Sequence, residues 1–139
     1  MGRILAIDYG TKRTGLAVTD ELKLIAGRLD TIHSSDIYTF LETYFSDQQV
    51  DCIVVGYPRR LNNKDTHSTR LVDNFIRSLE KKYPGLEIVR IDERFTSKIA
   101  MQAMVQAGVK KAVRREGFLI DSVSATLILQ TYLSQKQFQ

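Results

Sequence analysis

The 139 residues, 43% hydrophobic and 26% charged, suffice for one globular domain around a single core and leave no room for a multidomain assembly. The net charge of +4 and an isoelectric point near 9.3 suit a polyanionic partner without demanding one, because placement of charge matters more than its sum. A single cysteine, Cys52, excludes an internal disulfide and points to a reducing compartment, and no apolar run approaches the roughly 18 residues of a membrane span.

The apolar run at the N-terminus stops at Asp8, too early for a secretory leader, and Ala6 stands where a myristoylation signal needs Ser or Thr. Cytoplasmic residence is therefore expected. The chain has no repeat, no low-complexity stretch and no linker, so residues 1–139 are read as one domain. Arg3 to Asp8 predicts a buried strand. Gly10-Thr11-Lys12-Arg13 predicts a turn, and Thr14 to Thr19 a second strand in which Leu16 and Val18 alternate. Leu22 to Ile32 predicts a third, giving an antiparallel meander. Ser34 or Ser35 would cap a helix through Phe45, with Ile37, Phe40, Leu41 and Tyr44 at helical spacing. Cys52 to Gly56 is continuously apolar, as expected of a central strand covered on both faces.

A polar loop from Tyr57 to about Thr66 leads into a helix whose one face is Leu71, Val72, Phe75, Ile76 and Leu79. Pro84-Gly85 ends it, and Glu87 to Ile91 makes the fifth strand. Thr96 or Ser97 would cap a helix to about Ala107, where Gly108 is a natural stop. A basic loop then precedes a last helix from about Gly117 to Leu133. The order βββαβαβαα implies an α/β fold: a mixed five-stranded sheet with helices on both faces.

Three groups of acids stand out. Asp8 closes a buried strand and opens a run with two glycines, Gly10 and Gly15, which let the backbone turn and a ligand approach. It could equally be a turn aspartate bonded to its own backbone. Asp92 and Glu93 follow the fifth strand. If the strand continues, they point to opposite faces, so only one should reach a site; an exposed charge cluster is the plainer reading. Asp121 lies early in an apolar helix, where a carboxylate is costly unless paired or metal-bound, although helix-dipole stabilisation also accounts for it.

Jointly, acids from the first strand, a later strand and the last helix form the kind of oxygen cage that Mg²⁺ or Mn²⁺ prefers. Two such ions about 3.5–4 Å apart activate water and stabilise the leaving oxygen of a phosphodiester. With one cysteine and only His33 and His67, a zinc site is not expected. No phosphate-cradling glycine loop or Ser-His-Asp motif is present.

The stretch Ile7-Asp8-Tyr9-Gly10-Thr11-Lys12-Arg13-Thr14-Gly15-Leu16-Ala17-Val18-Thr19-Asp20 resembles the signature of the YqgF family, also called RuvX, relatives of the RuvC Holliday-junction resolvase. The resemblance continues through Val54-Val55-Gly56-Tyr57-Pro58, Asp92-Glu93-Arg94-Phe95-Thr96-Ser97 and Asp121-Ser122-Val123-Ser124-Ala125, essentially the whole chain. It implies a ribonuclease H-like fold and a nuclease that matures the 5′ end of pre-16S rRNA, with junction resolution in recombination as the older proposal. It also implies Asp8, Glu93 and Asp121 as catalytic acids and ligands of Mg or Mn, with Asp92 and Arg94 as further candidates. There are two departures. Tyr57 replaces a leucine of the family pattern, and Ser124 replaces the first of two alanines.

Lys12 and Arg13, Arg59 and Arg60, and Lys110, Lys111, Arg114 and Arg115 fall in predicted loops. Such clusters suit the phosphate backbone of structured RNA, ribosomal precursor particles or branched DNA, and each could also be a plain solvated loop. Junction resolution would call for a two-fold homodimer, whereas RNA trimming is compatible with a monomer. Two rival readings remain. One is a nucleotide-binding domain of the sugar-kinase and actin type, which usually needs two such domains. The other is a non-catalytic RNA- or ribosome-binding module on a degenerate nuclease fold, against which the presence of all three acids argues.

Overall fold

The computed structural model describes residues 2–57, 67–92 and 118–137. Strands β1 (Arg3–Tyr9), β2 (Arg13–Thr19) and β3 (Ala26–His33) form the meander, followed by helix α1 (Ile37–Asp47), strand β4 (Val50–Tyr57), helix α2 (His67–Lys82), strand β5 (Glu87–Asp92) and helix α3 (Phe118–Gln137). The sheet order is β3-β2-β1-β4-β5. β2 is antiparallel to β1 and β3, whereas β4 is parallel to β1 and β5. This is the mixed five-stranded sheet expected from the sequence. The helix expected near residues 97–107 lies outside the described residues.

Strand alternation sorts the core into two layers. Leu5, Ile7, Leu16, Ile53 and Val55 meet Ile37 and Leu41 of α1 and Val72, Phe75, Ile76 and Leu79 of α2. On the opposite face Ile4, Ala6, Ala17, Cys52, Val54 and Ile91 meet Ala125, Ile128, Leu129 and Tyr132 of α3. Helices therefore cover both faces, and the two alanines leave room for α3 to lie close to the sheet.

Contacts near its C-terminus fix the direction of α3. The Tyr132 hydroxyl donates to Glu87 Oε1 at 3.5 Å, and the Cys52 thiol approaches the Tyr132 oxygen at 3.9 Å, both near the starts of β4 and β5. Leu133 lines a shallow pocket with Ala26, where β3 begins. The helix thus runs against β1, β4 and β5, and its first turn lies toward their C-terminal ends.

Two expectations fail locally. The third strand starts at Ala26 rather than Leu22, and Leu22, Leu24 and Ile25 are 61–70% exposed. The Asp20 carboxylate accepts the backbone N–H groups of Leu24 and Ile25, both at 2.9 Å, and Lys23 adopts a positive φ of 62°. That aspartate-nucleated turn overrides the apolar pattern. Neither Ser34 nor Ser35 caps α1. A 3-10 turn over Ser34–Asp36 precedes the helix, whose N-cap position is Asp36 and has no side-chain cap bond. The Ser34 hydroxyl bonds Gly10 and Thr14 instead.

Candidate active site

Asp8 lies within β1, one residue before its end, and pairs with Gly15 of β2, which pairs in turn with Thr31 of β3. On the other side Ile7 is level with Val55, so the next position of β4 is Gly56, itself level with Ile91. Asp8 continues the alternation of Ile4 and Ala6, so its half-buried side chain belongs to the α3 face. Its two neighbours in that row are glycines, which add no side chain on either strand beside it. The row lies at the end of the sheet where α3 begins.

The backbone around Asp8 is held from below and behind. Tyr9 points to the other face and stacks on Phe75, ring centres 4.0 Å apart and planes within 2°. Burial raises the Tyr9 hydroxyl above its ordinary pKa, helped by the neighbouring Tyr38. Beyond Tyr9, Gly10 begins the turn to β2. A Cβ there would sit 2.6 Å from the Arg13 carbonyl oxygen, so only glycine fits without a backbone shift. Ser34 closes the turn. Its hydroxyl donates to the Gly10 carbonyl at 2.6 Å and contacts Thr14 Oγ1 at 2.8 Å, and its N–H donates to the Lys12 carbonyl at 2.9 Å. Thr14 is fully buried and Ser34 nearly so. No local sequence signal marks Ser34, because the partners of its hydroxyl lie 20 and 24 residues earlier.

Asp92 ends β5 and is exposed. Because Ile91 faces α3, Asp92 faces the other way, and it lines a cleft of about 470 Å³ with Tyr57, Asp73 and Arg90. There the Tyr57 hydroxyl donates to both Asp73 oxygens at 3.0 Å, and Arg90 stands 3.9 Å from Asp73 and over the Tyr57 ring at 5.8 Å. Asp8 and Asp92 are thus on opposite faces of the sheet, and the structure does not bring them together. Tyr57, the departure from the family leucine, belongs to the Asp92 side.

Lys12 is exposed in the turn after β1, and Arg13 opens β2 half-buried rather than lying in a loop. Asp121 occupies the fourth position of α3. Glu93, Arg94, Arg59, Arg60, Lys110, Lys111, Arg114 and Arg115 lie outside the described residues. Among the described residues no three His, Cys, Asp or Glu side chains gather as a metal cluster. Cys52 is no candidate nucleophile, because burial pushes its thiol up to about 11. Among the described residues no helix is long and apolar enough to cross a membrane.

The family pattern described as RuvX: Holliday junction resolvase matches residues 2–135. A Christiangramia forsetii protein provisionally named a pre-16S rRNA nuclease is 49% identical over 96% of this chain and 98% of its own length. Proteins of the same provisional name from Flavobacterium psychrophilum and Porphyromonas gingivalis are 45% and 47% identical, over 98% and 96% of this chain and 99% and 96% of their own lengths. Among solved structures, T. thermophilus RuvC in complex with a Holliday junction substrate superposes with a TM-score of 0.57 at 15% identity, covering 98% of this chain and 97% of that one. The shared architecture is the ribonuclease H-like sheet.

Proposed function

The chain belongs to the RuvX family, and from that premise we propose that it is a nuclease which hydrolyses phosphodiester bonds at the 5′ end of pre-16S rRNA, with Asp8, Glu93 and Asp121 as its working acids. The observation that carries this reading is the placement of Asp8 between Gly15 and Gly56, on the face that α3 covers. Glycines on both neighbouring strands leave room for a ligand beside the carboxylate. The spacing of α3 supports Asp121 as its companion. Position 121 precedes Ala125, Ile128 and Tyr132 by four, seven and eleven residues, the stripe that α3 turns to the sheet. Eleven residues of helix rise about 16 Å, and the four strand residues from Ile4 to Asp8 about 13 Å. With Ile4 level with Cys52 and Tyr132 beside Cys52, the first turn of α3 is brought to the level of Asp8.

Glu93 enters by the same alternation. Ile91 faces α3 and Asp92 is turned away, so if the strand continued its alternation, Glu93 would share the α3 face.

This donor set fits a hard divalent cation. It offers carboxylate oxygens, while Cys52 lies near the opposite end of β4 and holds its proton. Mg²⁺ or Mn²⁺ bound there would supply Lewis-acid polarisation of the phosphate and a more acidic water. The chain's own part is to hold Asp8 on a rigid strand and Asp121 on a helix, and to meet the phosphate charge with Lys12 from the turn that Ser34 locks and Arg13 from the start of β2. A second reading, resolution of four-way DNA junctions, is favoured by the description of the matched family.

The test compares wild type with Asp8→Asn, in Mg²⁺ and separately in Mn²⁺, on a pre-16S rRNA fragment and a four-way DNA junction. Metal-dependent cutting of the RNA by wild type alone is the expected result. Preference for the junction would favour the second reading, and a fully active Asp8→Asn would reject the site. Binding without cleavage of either substrate would favour the non-catalytic module.

A further inference from the structure

Helix α2 has four sides with different tasks. Val72, Phe75, Ile76 and Leu79 are buried in the core. On the flank toward α1, Ser78 accepts the Tyr38 hydroxyl at 2.6 Å and Lys82 pairs with Glu42 at 3.1 Å. On the flank toward β5, Asp73 is occupied by Tyr57 and Arg90, and Glu80 lines a cavity with Arg90. The crest that remains carries Arg70, Asn74, Arg77 and Lys81, all exposed, at intervals of four, three and four residues. Both acids of α2 are off this crest. Among the described residues no carboxylate pairs with any of its three cations. The adjacent α1 contains no Lys or Arg at all.

Resting on the nuclease reading above, we propose that this crest is an anchoring track for the phosphate backbone of the RNA, flanking the cleavage site. Asp73 and Glu80 stand three or four positions from the two arginines, yet Asp73 turns to Tyr57 and Arg90 and neither acid pairs with the crest, so among the described residues three unneutralised cations along about 16 Å of helix are offered to a polyanion. The polarity of the helix also fits. Tyr57 at the end of β4 bonds Asp73, so Arg70, one turn earlier, stands at the end of the sheet that holds Asp8, and Lys81 stands toward the far end. A strand leaving the Asp8 face would cross the rim formed by the strand ends and continue down α2. The two arginines can grip phosphates bidentately, and Lys81 adds a point charge.

The experiment measures binding of a fluorescent pre-16S rRNA fragment by full-length protein in the Asp8→Asn background, as a function of KCl. It compares that protein with the combined Arg70→Gln, Arg77→Gln, Lys81→Gln variant. Removing three phosphate contacts on single-stranded RNA should flatten the slope of log K against log salt by about 2. Affinity at low salt should fall by at least about tenfold. Lys82→Gln, which removes a cation already paired with Glu42, should leave the slope nearly unchanged. The single charge reversal Arg77→Glu, at an exposed helix position, provides a second folded variant with the same expected direction. Unchanged slope and affinity in the triple variant, while the parent binds RNA, would overturn the track and leave the nuclease reading standing. Failure of the parent to bind any RNA would overturn both.

Discussion

Replacing Ser34 with alanine tests the claim that a buried hydroxyl, rather than a helix cap, organises the turn beyond Asp8. The substitution deletes the 2.6 Å bond to the Gly10 carbonyl and the 2.8 Å contact with Thr14, and leaves the Thr14 hydroxyl buried with one partner fewer. Two bonds at about 1 kcal/mol each, with part of the penalty for an orphaned hydroxyl, amount to roughly 2–3 kcal/mol. At about 2.1 cal/mol/K of unfolding entropy per residue, 139 residues lose roughly 7–10 °C of Tm for that change. The assay is thermal unfolding of Ser34→Ala, Thr14→Val and the double variant. Because the two hydroxyls share one contact, the double variant should be less destabilised than the two losses added together, by about 1 kcal/mol. The turn also carries Lys12 and leads into Arg13 at the start of β2, so cleavage should decline at temperatures well below the new Tm. Strict additivity, or a Tm within a degree or so of wild type, would refute the network.

Other features carry expectations of their own. Gly10→Ala places a methyl group 2.6 Å from the Arg13 carbonyl, so Tm should fall by the equivalent of about 1–3 kcal/mol and cleavage with it; unchanged unfolding would refute the close approach. Ser124→Ala should raise Tm by a few degrees, because it removes a hydroxyl that is 1% exposed and has no hydrogen-bond partner among the described residues. A fall in Tm would show that hydroxyl engaged. Burial holds the Cys52 thiol near 11 against an ordinary value near 9, so the folded state keeps a proton that the unfolded chain has released. Stability should therefore decline as pH rises from about 9 to about 11, and less so in Cys52→Ala, as read from Tm across that range.

The central strands were legible because burial on both faces writes a continuous apolar run. Cys52 to Val55 is such a run, and the structure buries all four residues. Asp8 was legible for the complementary reason, as a carboxylate where that pattern breaks. Legibility ended wherever a distant or competing partner decides the outcome. Leu22, Leu24 and Ile25 look like strand residues, yet the Asp20 carboxylate captures two of their N–H groups and makes them a turn. Ser34 looks like a cap, yet Thr14 and Gly10 claim its hydroxyl. The adjacency of Asp92 and Glu93 signalled that only one could face the site, but not which. Assigning Asp92 to the α2 side needed Ile91 and Tyr57 as landmarks on the two faces of the sheet. The cationic crest of α2 forms no basic run in the sequence, because its residues are adjacent only on a helix surface.

Helix α3 closes the layer that β1 opens, and this has a consequence for the timing of biosynthesis. The meander can pair as soon as its strands emerge, since its contacts span few residues. One of its faces is covered by α1 and α2, both encoded before β5. Among the described elements, only α3 covers the other, with Ile4, Ala6, Ala17 and Val54. A ribosome-bound or prematurely terminated chain therefore exposes that apolar face along with Asp8, and offers it to proteases and chaperones. Competence to bind the substrate productively would then arrive only once α3 has been made and docked.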